Sequence, residues 1–109
     1  MASKRADPKD LAEIRRLACD LSKVQITATA KYDLMGHGLT TEEVCNEIVN
    51  WIDSDQEVKK VILKGKHAGQ VAFELKPRID DVLFYIKVTL CDLGEMDENL
   101  LVISAHPDH

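Results

Sequence analysis

The sequence predicts an α+β protein in which two or three N-terminal helices pack on one face of a small antiparallel sheet. In the segments 11–21 and 44–52, apolar residues recur every three or four positions, and from residue 59 they recur every second position. The helical segments precede the strands and do not alternate with them, which favours an antiparallel sheet over the βαβ units of a parallel one. With 109 residues, the chain is expected to form one domain spanning 1–109.

The first predicted helix begins at Asp7-Pro8 and continues to about residue 22. Aspartate can cap the free N–H groups of a first turn, and proline suits the first helical position. An apolar stripe with helical spacing follows, made of Leu11, Ile14, Leu17, Ala18 and Leu21. We therefore expect an amphipathic helix that lies on the rest of the protein.

The segment 24–39 allows two interpretations. Residues 24–29 fit a short strand, or an extended entry to a helical turn near 30–35, and the glycines of 36–38 then interrupt the chain. Next, Thr40 and Glu43 have the spacing of a capping box. They begin a helix that ends near residue 53, with an apolar stripe of Val44, Cys45, Ile48, Val49 and Ile52. Trp51, on its flank, fits the rim of a core better than a base-stacking surface.

Four strands are predicted, the first from the short apolar run 61–63 and the others from the alternating segments 70–76, 82–91 and 101–106, with an acidic turn at 93–98. A two-residue turn at 80–81 brings the apolar residues of the second and third strands together: Ile79 with Val82, Leu75 with Ile86, Phe73 with Val88 and Val71 with Leu90. For the last hairpin we predict the pairs Leu90–Leu101, Val88–Ile103, Ile86–Ala105, Lys87–Ser104 and Tyr85–His106. A register shifted by one residue would bury Ser104 and His106 without partners, at a cost of roughly 1–3 kcal/mol each.

This register gathers polar side chains on the sheet face away from the helices. One row is Lys76, Tyr85 and His106, and the next is Glu74, Lys87 and Ser104. Neighbouring side chains across strands have Cβ atoms about 5 Å apart, so the two rows can converge on one small anionic ligand. The competing interpretation is a solvated face without a ligand, since polar outer faces are normal in antiparallel sheets.

Charge is distributed unevenly along a chain whose net charge is −5. Residues 58–87 contain seven basic and three acidic residues, whereas 88–109 contain five acidic residues and no lysine or arginine. The overall balance argues against a general nucleic-acid binder, so only the basic block could contact phosphates. No apolar run is long enough to cross a bilayer, and the N-terminal residues lack the core of a secretion signal. We expect a cytoplasmic protein that has no contact with a membrane.

The three cysteines, Cys19, Cys45 and Cys91, are widely separated and lack the paired spacing of a metal site. Each is expected to be a small buried apolar residue in a reducing compartment.

Several segments between residues 40 and 106 resemble the MqsR-type toxins, which belong to the RelE-like ribonuclease toxins of bacterial toxin–antitoxin modules. The resemblance includes Val44-Cys45-Asn46 with Ile48, Ser54-Asp55, and Leu101-Val102-Ile103-Ser104. It is closest over 76–89, where basic–Pro–Arg–aliphatic and then Tyr-x-Lys-aliphatic-Thr match the family pattern. The order and spacing of these short motifs carry the resemblance.

The resemblance implies an endoribonuclease that cleaves messenger RNA without a metal or other cofactor and leaves a 2′,3′-cyclic phosphate. It also implies two partners, RNA and an antitoxin protein. Tyr85 falls on the family's functional tyrosine, and His106 falls where the family has a lysine. Lys59 or Lys60 falls near another functional lysine, and the family's glutamine falls on Ala72, on the same strand face as Gln70. The chain is acidic, however, whereas the family's toxins are typically basic.

Together, the register and the resemblance predict a site. The predicted catalytic residues are Tyr85 and His106, as an acid–base pair, and Lys87; the predicted substrate-binding residues are Lys76, Arg78, Lys60 and Gln70. Histidine has a reference pKa of about 6.5 and so can transfer protons at neutral pH. The alternative function is a catalytically inactive RelE-like protein that uses its basic strands to bind a protein partner or nucleic acid.

Overall fold

The computed structural model describes residues 4–63, 70–92 and 98–108. The helices are α1 (Pro8–Ala18), α2 (Ala28–Gly36) and α3 (Thr41–Asp53), with a 3₁₀ turn at Leu21–Lys23. The strands are β1 (Lys4–Arg5), β2 (Val24–Ile26), β3 (Lys59–Ile62), β4 (Val71–Leu75), β5 (Arg78–Ile79), β6 (Val82–Asp92) and β7 (Glu98–Pro107). The predicted α+β class, with N-terminal helices on one side of a mostly antiparallel sheet, is confirmed.

The ends of the helices show which sequence signals were decisive. Helix α1 has Pro8 in its first turn, but the side chain of Asp7 makes no capping hydrogen bond. The helix ends at Ala18, and the predicted last turn to residue 22 is instead the separate 3₁₀ turn. The capping box of α3 is confirmed: Thr40 Oγ1 accepts from the Glu43 N–H at 3.1 Å, and Glu43 Oε1 accepts from the Thr40 N–H at 3.1 Å.

Both interpretations of segment 24–39 are realised, one after the other. Residues 24–26 form the edge strand β2, and α2 then begins at Ala28, where Thr27 Oγ1 accepts from the Ala30 N–H at 3.1 Å. The Thr27 hydroxyl also donates to the Ile103 carbonyl at 2.9 Å, which ties the start of α2 to β7. The strand β2 runs parallel to β7. The sheet is therefore mostly antiparallel, whereas the sequence predicted a purely antiparallel one.

Within the described residues, the strand order is β1-β3-β4-β6-β7-β2, and β5 pairs with β6. The predicted pairs Ile79–Val82, Leu75–Ile86 and Phe73–Val88 are confirmed. Asp80 and Asp81 form the predicted two-residue turn, with φ of 52° and 66°. Such positive φ values are typical of the tight turn that matches the twist of a hairpin.

The last hairpin contains a β-bulge that was not predicted from the sequence. The predicted pairs Tyr85–His106, Ile86–Ala105 and Lys87–Ser104 are confirmed. Beyond Lys87 the register shifts by one residue, so Val88 faces Val102 and Leu90 faces Leu100, which corrects the predicted Val88–Ile103 and Leu90–Leu101 pairs. The reason is the core. The buried apolar residues of β7 are Leu100, Val102 and Ala105, and the three-residue step from Val102 to Ala105 requires one extra residue in the strand.

The hydrophobic core lies between the three helices and one face of the sheet. Helix residues such as Ile14 and Ile48 cluster there with Leu75, Ile86 and Val102. Arg15 of α1 joins Asp53 of α3 through two hydrogen bonds, of 2.6 and 3.0 Å. In the part of the chain that the structure describes, no helix has the length and apolar character to span a membrane.

The predicted burial of the cysteines is confirmed in part. Cys45 is buried, whereas Cys19, just after α1, is exposed. The side chain of Cys91 and the predicted turn over 93–97 lie outside the described part of the structure, and Glu98 belongs to β7.

Candidate active site

Polar side chains collect on the face of the sheet that points away from the helices. We call this surface the polar face; its members are Lys59, Glu74, Lys76, Tyr85, Lys87, Ser104 and His106. The register places one of its rows across four strands, through the pairs Lys59–Glu74, Glu74–Lys87 and Lys87–Ser104. A second row contains the pair Tyr85–His106. Since strand side chains alternate between faces, the buried Phe73, Ile86 and Ala105 point to the opposite side, into the core.

Tyr85 is bonded to a carboxylate on the neighbouring strand. Its hydroxyl donates to Glu74 Oε2 at 2.6 Å, in a half-buried position. Burial raises the pKa of Tyr85 well above its usual value, and the hydrogen bond to Glu74 and the negative charges of Glu74 and Asp108 raise it further. The phenol therefore stays neutral at physiological pH and acts as a hydrogen-bond donor, so it is a poor choice for the proton-accepting base.

His106 lies against Tyr85, as the predicted register requires. The two rings are tilted by 39°, with their centroids 5.4 Å apart. His106 Nδ1 lies 2.9 Å from the Pro107 carbonyl oxygen. Because a carbonyl oxygen can only accept, Nδ1 carries the hydrogen in this contact, and Nε2 is left as the nitrogen that can exchange a proton with a ligand.

Two lysines lie beside the Tyr85–His106 pair. Lys87 Nζ lies over the Tyr85 ring, 5.8 Å from its centroid. Lys76, which follows β4, has its Nζ 3.3 Å from Asp108 Oδ2. Asp108 is held at this end of the sheet by its backbone N–H, which donates to the Leu83 carbonyl at 2.7 Å. The two ammonium groups supply positive charge within the same cluster.

Arg78 is exposed in β5, where it pairs with Leu83 near the turn of the hairpin. Leu83 and Tyr85 are two residues apart on β6, so Arg78 belongs to the same side of the sheet, one step beyond the Lys76 position. It therefore lies at the margin of the polar face.

The structure separates Lys60 and Gln70 from the other predicted site residues. Lys60 pairs with Phe73, whose side chain is in the core, and it therefore emerges on the helix side of the sheet. There its Nζ lies 3.5 Å from Asp10 Oδ2 of α1, and Lys60, Asp10 and Gln70 line a different surface cavity. Their predicted role beside Tyr85 and His106 is not supported by this placement. The family resemblance left open whether Lys59 or Lys60 corresponds to the family's lysine. The strand register places Lys59, and not Lys60, on the polar face.

Glu74 and Asp108 were not predicted from the sequence as site residues. For Glu74 a signal was present, because the predicted register already placed it beside Lys87 on the polar face. Asp108 follows the last strand, and no motif or periodicity of the sequence marked it. Among the described residues, no group of three or more histidine, cysteine, aspartate or glutamate side chains is arranged to hold a metal ion.

The polar face thus combines a carboxylate, an imidazole, a neutral phenol and several ammonium groups. A carboxylate and an imidazole can accept and donate protons near neutral pH, and ammonium groups stabilise a developing negative charge. In comparisons with known proteins, no family model matches this chain, and no curated protein matches it with significance.

Proposed function

We propose that the protein is a metal-independent endoribonuclease of the RelE-like type that cleaves single-stranded RNA on its polar face. The observation that carries the proposal is the cluster of Glu74, Tyr85, Lys87 and His106 across three adjacent strands. Cleavage of RNA by its own 2′-hydroxyl needs a base, an acid and positive charge around one phosphate, and this cluster contains all three.

In the proposed reaction, the Glu74 carboxylate accepts the proton of the 2′-hydroxyl. The 2′ oxygen then attacks the adjacent phosphorus and forms a pentavalent phosphorane, whose charge Lys87, Lys59 and Lys76 stabilise. His106, protonated at Nε2, gives that proton to the 5′ oxygen as the P–O5′ bond breaks. The products are a 2′,3′-cyclic phosphate and a free 5′-hydroxyl.

Tyr85 takes a different role from the one predicted from the sequence. Its neutral hydroxyl orients Glu74 through the 2.6 Å hydrogen bond, and it supports the His106 ring from the side. Glu74 replaces it as the base, because a carboxylate is ionised at neutral pH whereas this phenol is not.

The proposal is tested with purified protein and a single-stranded RNA in the presence of a metal chelator. We expect the wild type to cleave, and His106→Ala and Glu74→Gln each to lower kcat by about 10²–10⁴-fold, as is typical for loss of a general acid or base. Glu47→Gln is the matched control for Glu74→Gln, because it removes the same group from α3 and should leave the rate unchanged. Binding of RNA without cleavage would favour the alternative, an inactive binding protein.

We further propose that the protein acts in the cytoplasm as the toxin of a toxin–antitoxin module. This part of the proposal is supported by the family resemblance of residues 40–106. Induced expression in a bacterium should arrest growth, and His106→Ala should relieve the arrest at equal protein levels. Harmless expression of a wild-type protein that cleaves RNA in vitro would contradict the toxin assignment while leaving the ribonuclease assignment intact.

A further inference from the structure

An open cleft of about 290 Å³ lies at one end of β3 and β4, where the segment after α3 enters the sheet. It is lined by Trp51, Gln56, Glu57, Lys59, Glu74 and Lys76. Three of these residues, Lys59, Glu74 and Lys76, belong to the polar face, and Glu74 is the acceptor of the Tyr85 hydroxyl. The cleft and the proposed catalytic groups therefore form one continuous surface.

Trp51 gives this cleft a rigid aromatic wall. Trp51 packs against the hydrophobic core and is also one of the residues that line the cleft. Its Nε1–H donates to the Glu57 carbonyl at 2.8 Å, which fixes the orientation of the ring and satisfies its one polar group. A half-buried indole held in this way can offer its face to a flat ligand without losing a hydrogen bond.

The size of the cleft and the side chains that line it indicate which class of ligand it can bind. Pockets that enclose a drug-sized molecule measure about 300–1,000 Å³, so a volume near the lower limit fits one heterocyclic ring system and not a longer stretch of chain. The formal charges of the lining balance, with two lysines and two glutamates, and the ammonium groups of Lys59 and Lys76 are the part that suits a ligand attached to phosphate. The side chains of Gln56 and Glu57 can form hydrogen bonds with the edge of a base.

We propose that this cleft binds one unpaired nucleobase of the RNA, stacked on Trp51, next to the phosphate that is cleaved. The inference rests on the proposed function, since the polar face must hold that phosphate. Stacking of bases on aromatic side chains is the usual way in which proteins bind single-stranded RNA. It gives Trp51 a role in substrate binding in addition to its place at the rim of the core.

The chain contains a single tryptophan, so its fluorescence reports on this cleft directly. The four nucleoside 3′-monophosphates are titrated into the wild-type protein, with ribose phosphate as the matched control that lacks a base. We expect at least one nucleotide to quench the emission in a saturable manner, and ribose phosphate to leave it unchanged. Equal responses to nucleotide and ribose phosphate, or no response to any nucleotide, would overturn the proposal.

A pair of variants isolates the stacking contribution. Trp51→Phe and Trp51→Leu both lose the hydrogen bond to Glu57, but only the first keeps an aromatic face. We expect Trp51→Leu to raise KM for RNA roughly 5- to 100-fold above that of Trp51→Phe, with little change in kcat. If Trp51→Leu does not fold, the wild-type titration still decides.

The two assays separate this inference from the function on which it rests. Cleavage of RNA without quenching by any nucleotide would overturn the base-binding cleft and leave the ribonuclease assignment standing. Quenching by nucleotides without any cleavage would support the cleft and overturn the ribonuclease.

Discussion

The hydrogen bond between Tyr85 and Glu74 determines which of the two groups can act as a base. At 2.6 Å, in a half-buried position, the phenol donates to an ionised carboxylate, and its pKa is raised by burial and by that negative charge. A tyrosine whose pKa lay near or below its usual value would be a better base than Tyr85. The predicted register correctly placed Tyr85 beside His106. The chemistry of Tyr85 depends on Glu74, and their hydrogen bond becomes evident only once the strands are paired.

The raised pKa of Tyr85 predicts how stability depends on alkaline pH. In the unfolded chain the phenol ionises near its usual pKa of 10.0, whereas in the folded protein it keeps its proton to higher pH. The unfolded state therefore binds fewer protons above pH 10, and the stability contributed by Tyr85 is complete below that pH and lost as pH rises through the folded pKa.

Tyr85→Phe tests this dependence. At pH 7 the variant should be less stable by roughly 2 kcal/mol, because a partly buried hydrogen bond to a charged group is lost. The difference from the wild type should shrink between pH 10 and pH 12. Urea unfolding followed by circular dichroism measures both values, and a difference that grows with pH would contradict the assigned shift.

Pairing of strands was predictable from the sequence where apolar partners on the two strands enforced it. The β4–β6 register followed from matching Phe73 with Val88 and Leu75 with Ile86, and the structure agrees. The bulge at Ile103 was not predictable, because alternation alone gives a continuous strand, and only the burial of Val102 and Ala105 on one side requires the extra residue. This error did not affect the predicted cluster of polar side chains, because Tyr85, Lys87 and His106 all lie on the correctly paired side of the bulge.

Adjacent lysines of β3 provide a test of strand register. Lys59 belongs to the polar face, whereas Lys60 lies on the helix side near Asp10. We expect Lys59→Gln to weaken binding of a non-cleavable 2′-O-methyl RNA several-fold, and Lys60→Gln to leave it within experimental error. Fluorescence anisotropy with a labelled oligonucleotide measures the two Kd values. A larger effect of Lys60→Gln would show that RNA binds on the helix side of the sheet, which contradicts the proposed site.

The turn of the β5–β6 hairpin offers a test of local structure. Asp80 and Asp81 both have positive φ, a conformation in which glycine is favoured at the second position. Asp81→Gly should therefore stabilise the protein by about 0.5 kcal/mol. Asp33→Gly, the same substitution inside α2, should destabilise it by a few tenths of a kcal/mol. Thermal unfolding of both variants decides, and a loss of stability in Asp81→Gly would contradict the turn geometry.

Across the molecule, the separation of the two sheet faces is what the sequence predicted best. Helices on one side and polar strand residues on the other follow from periodicity, because each periodicity sets which residues can share a face. The parallel edge strand β2 could not be predicted, since its three residues are too short for a periodic signal and its partner β7 is distant in the chain. The Trp51 cleft also depends on tertiary structure, because it joins α3 to the ends of two strands.

The uneven charge of the chain predicts the salt dependence of RNA binding. The net charge is −5, so in the proposed ribonuclease the affinity for RNA comes from the cations of the polar face, chiefly Lys59, Lys76 and Lys87. Three phosphate contacts with single-stranded RNA correspond to a slope of about −2 in a plot of log Kobs against log salt concentration. The slope should become shallower in Lys59→Gln. A slope near zero in the wild type would show that these lysines do not contact phosphate.

In the function that we propose, RNA is cleaved by its own 2′-hydroxyl on the polar face. The most direct measurement uses a DNA oligonucleotide that contains a single ribonucleotide, with mass spectrometry of the products. We expect one cut, directly 3′ to the ribose, that gives a 2′,3′-cyclic phosphate and a 5′-hydroxyl. We expect no cut in an all-DNA strand, and cleavage slowed by about 10²–10⁴-fold with Glu74→Gln. Products ending in a 3′-hydroxyl and a 5′-phosphate, or an unchanged rate for Glu74→Gln, would contradict it.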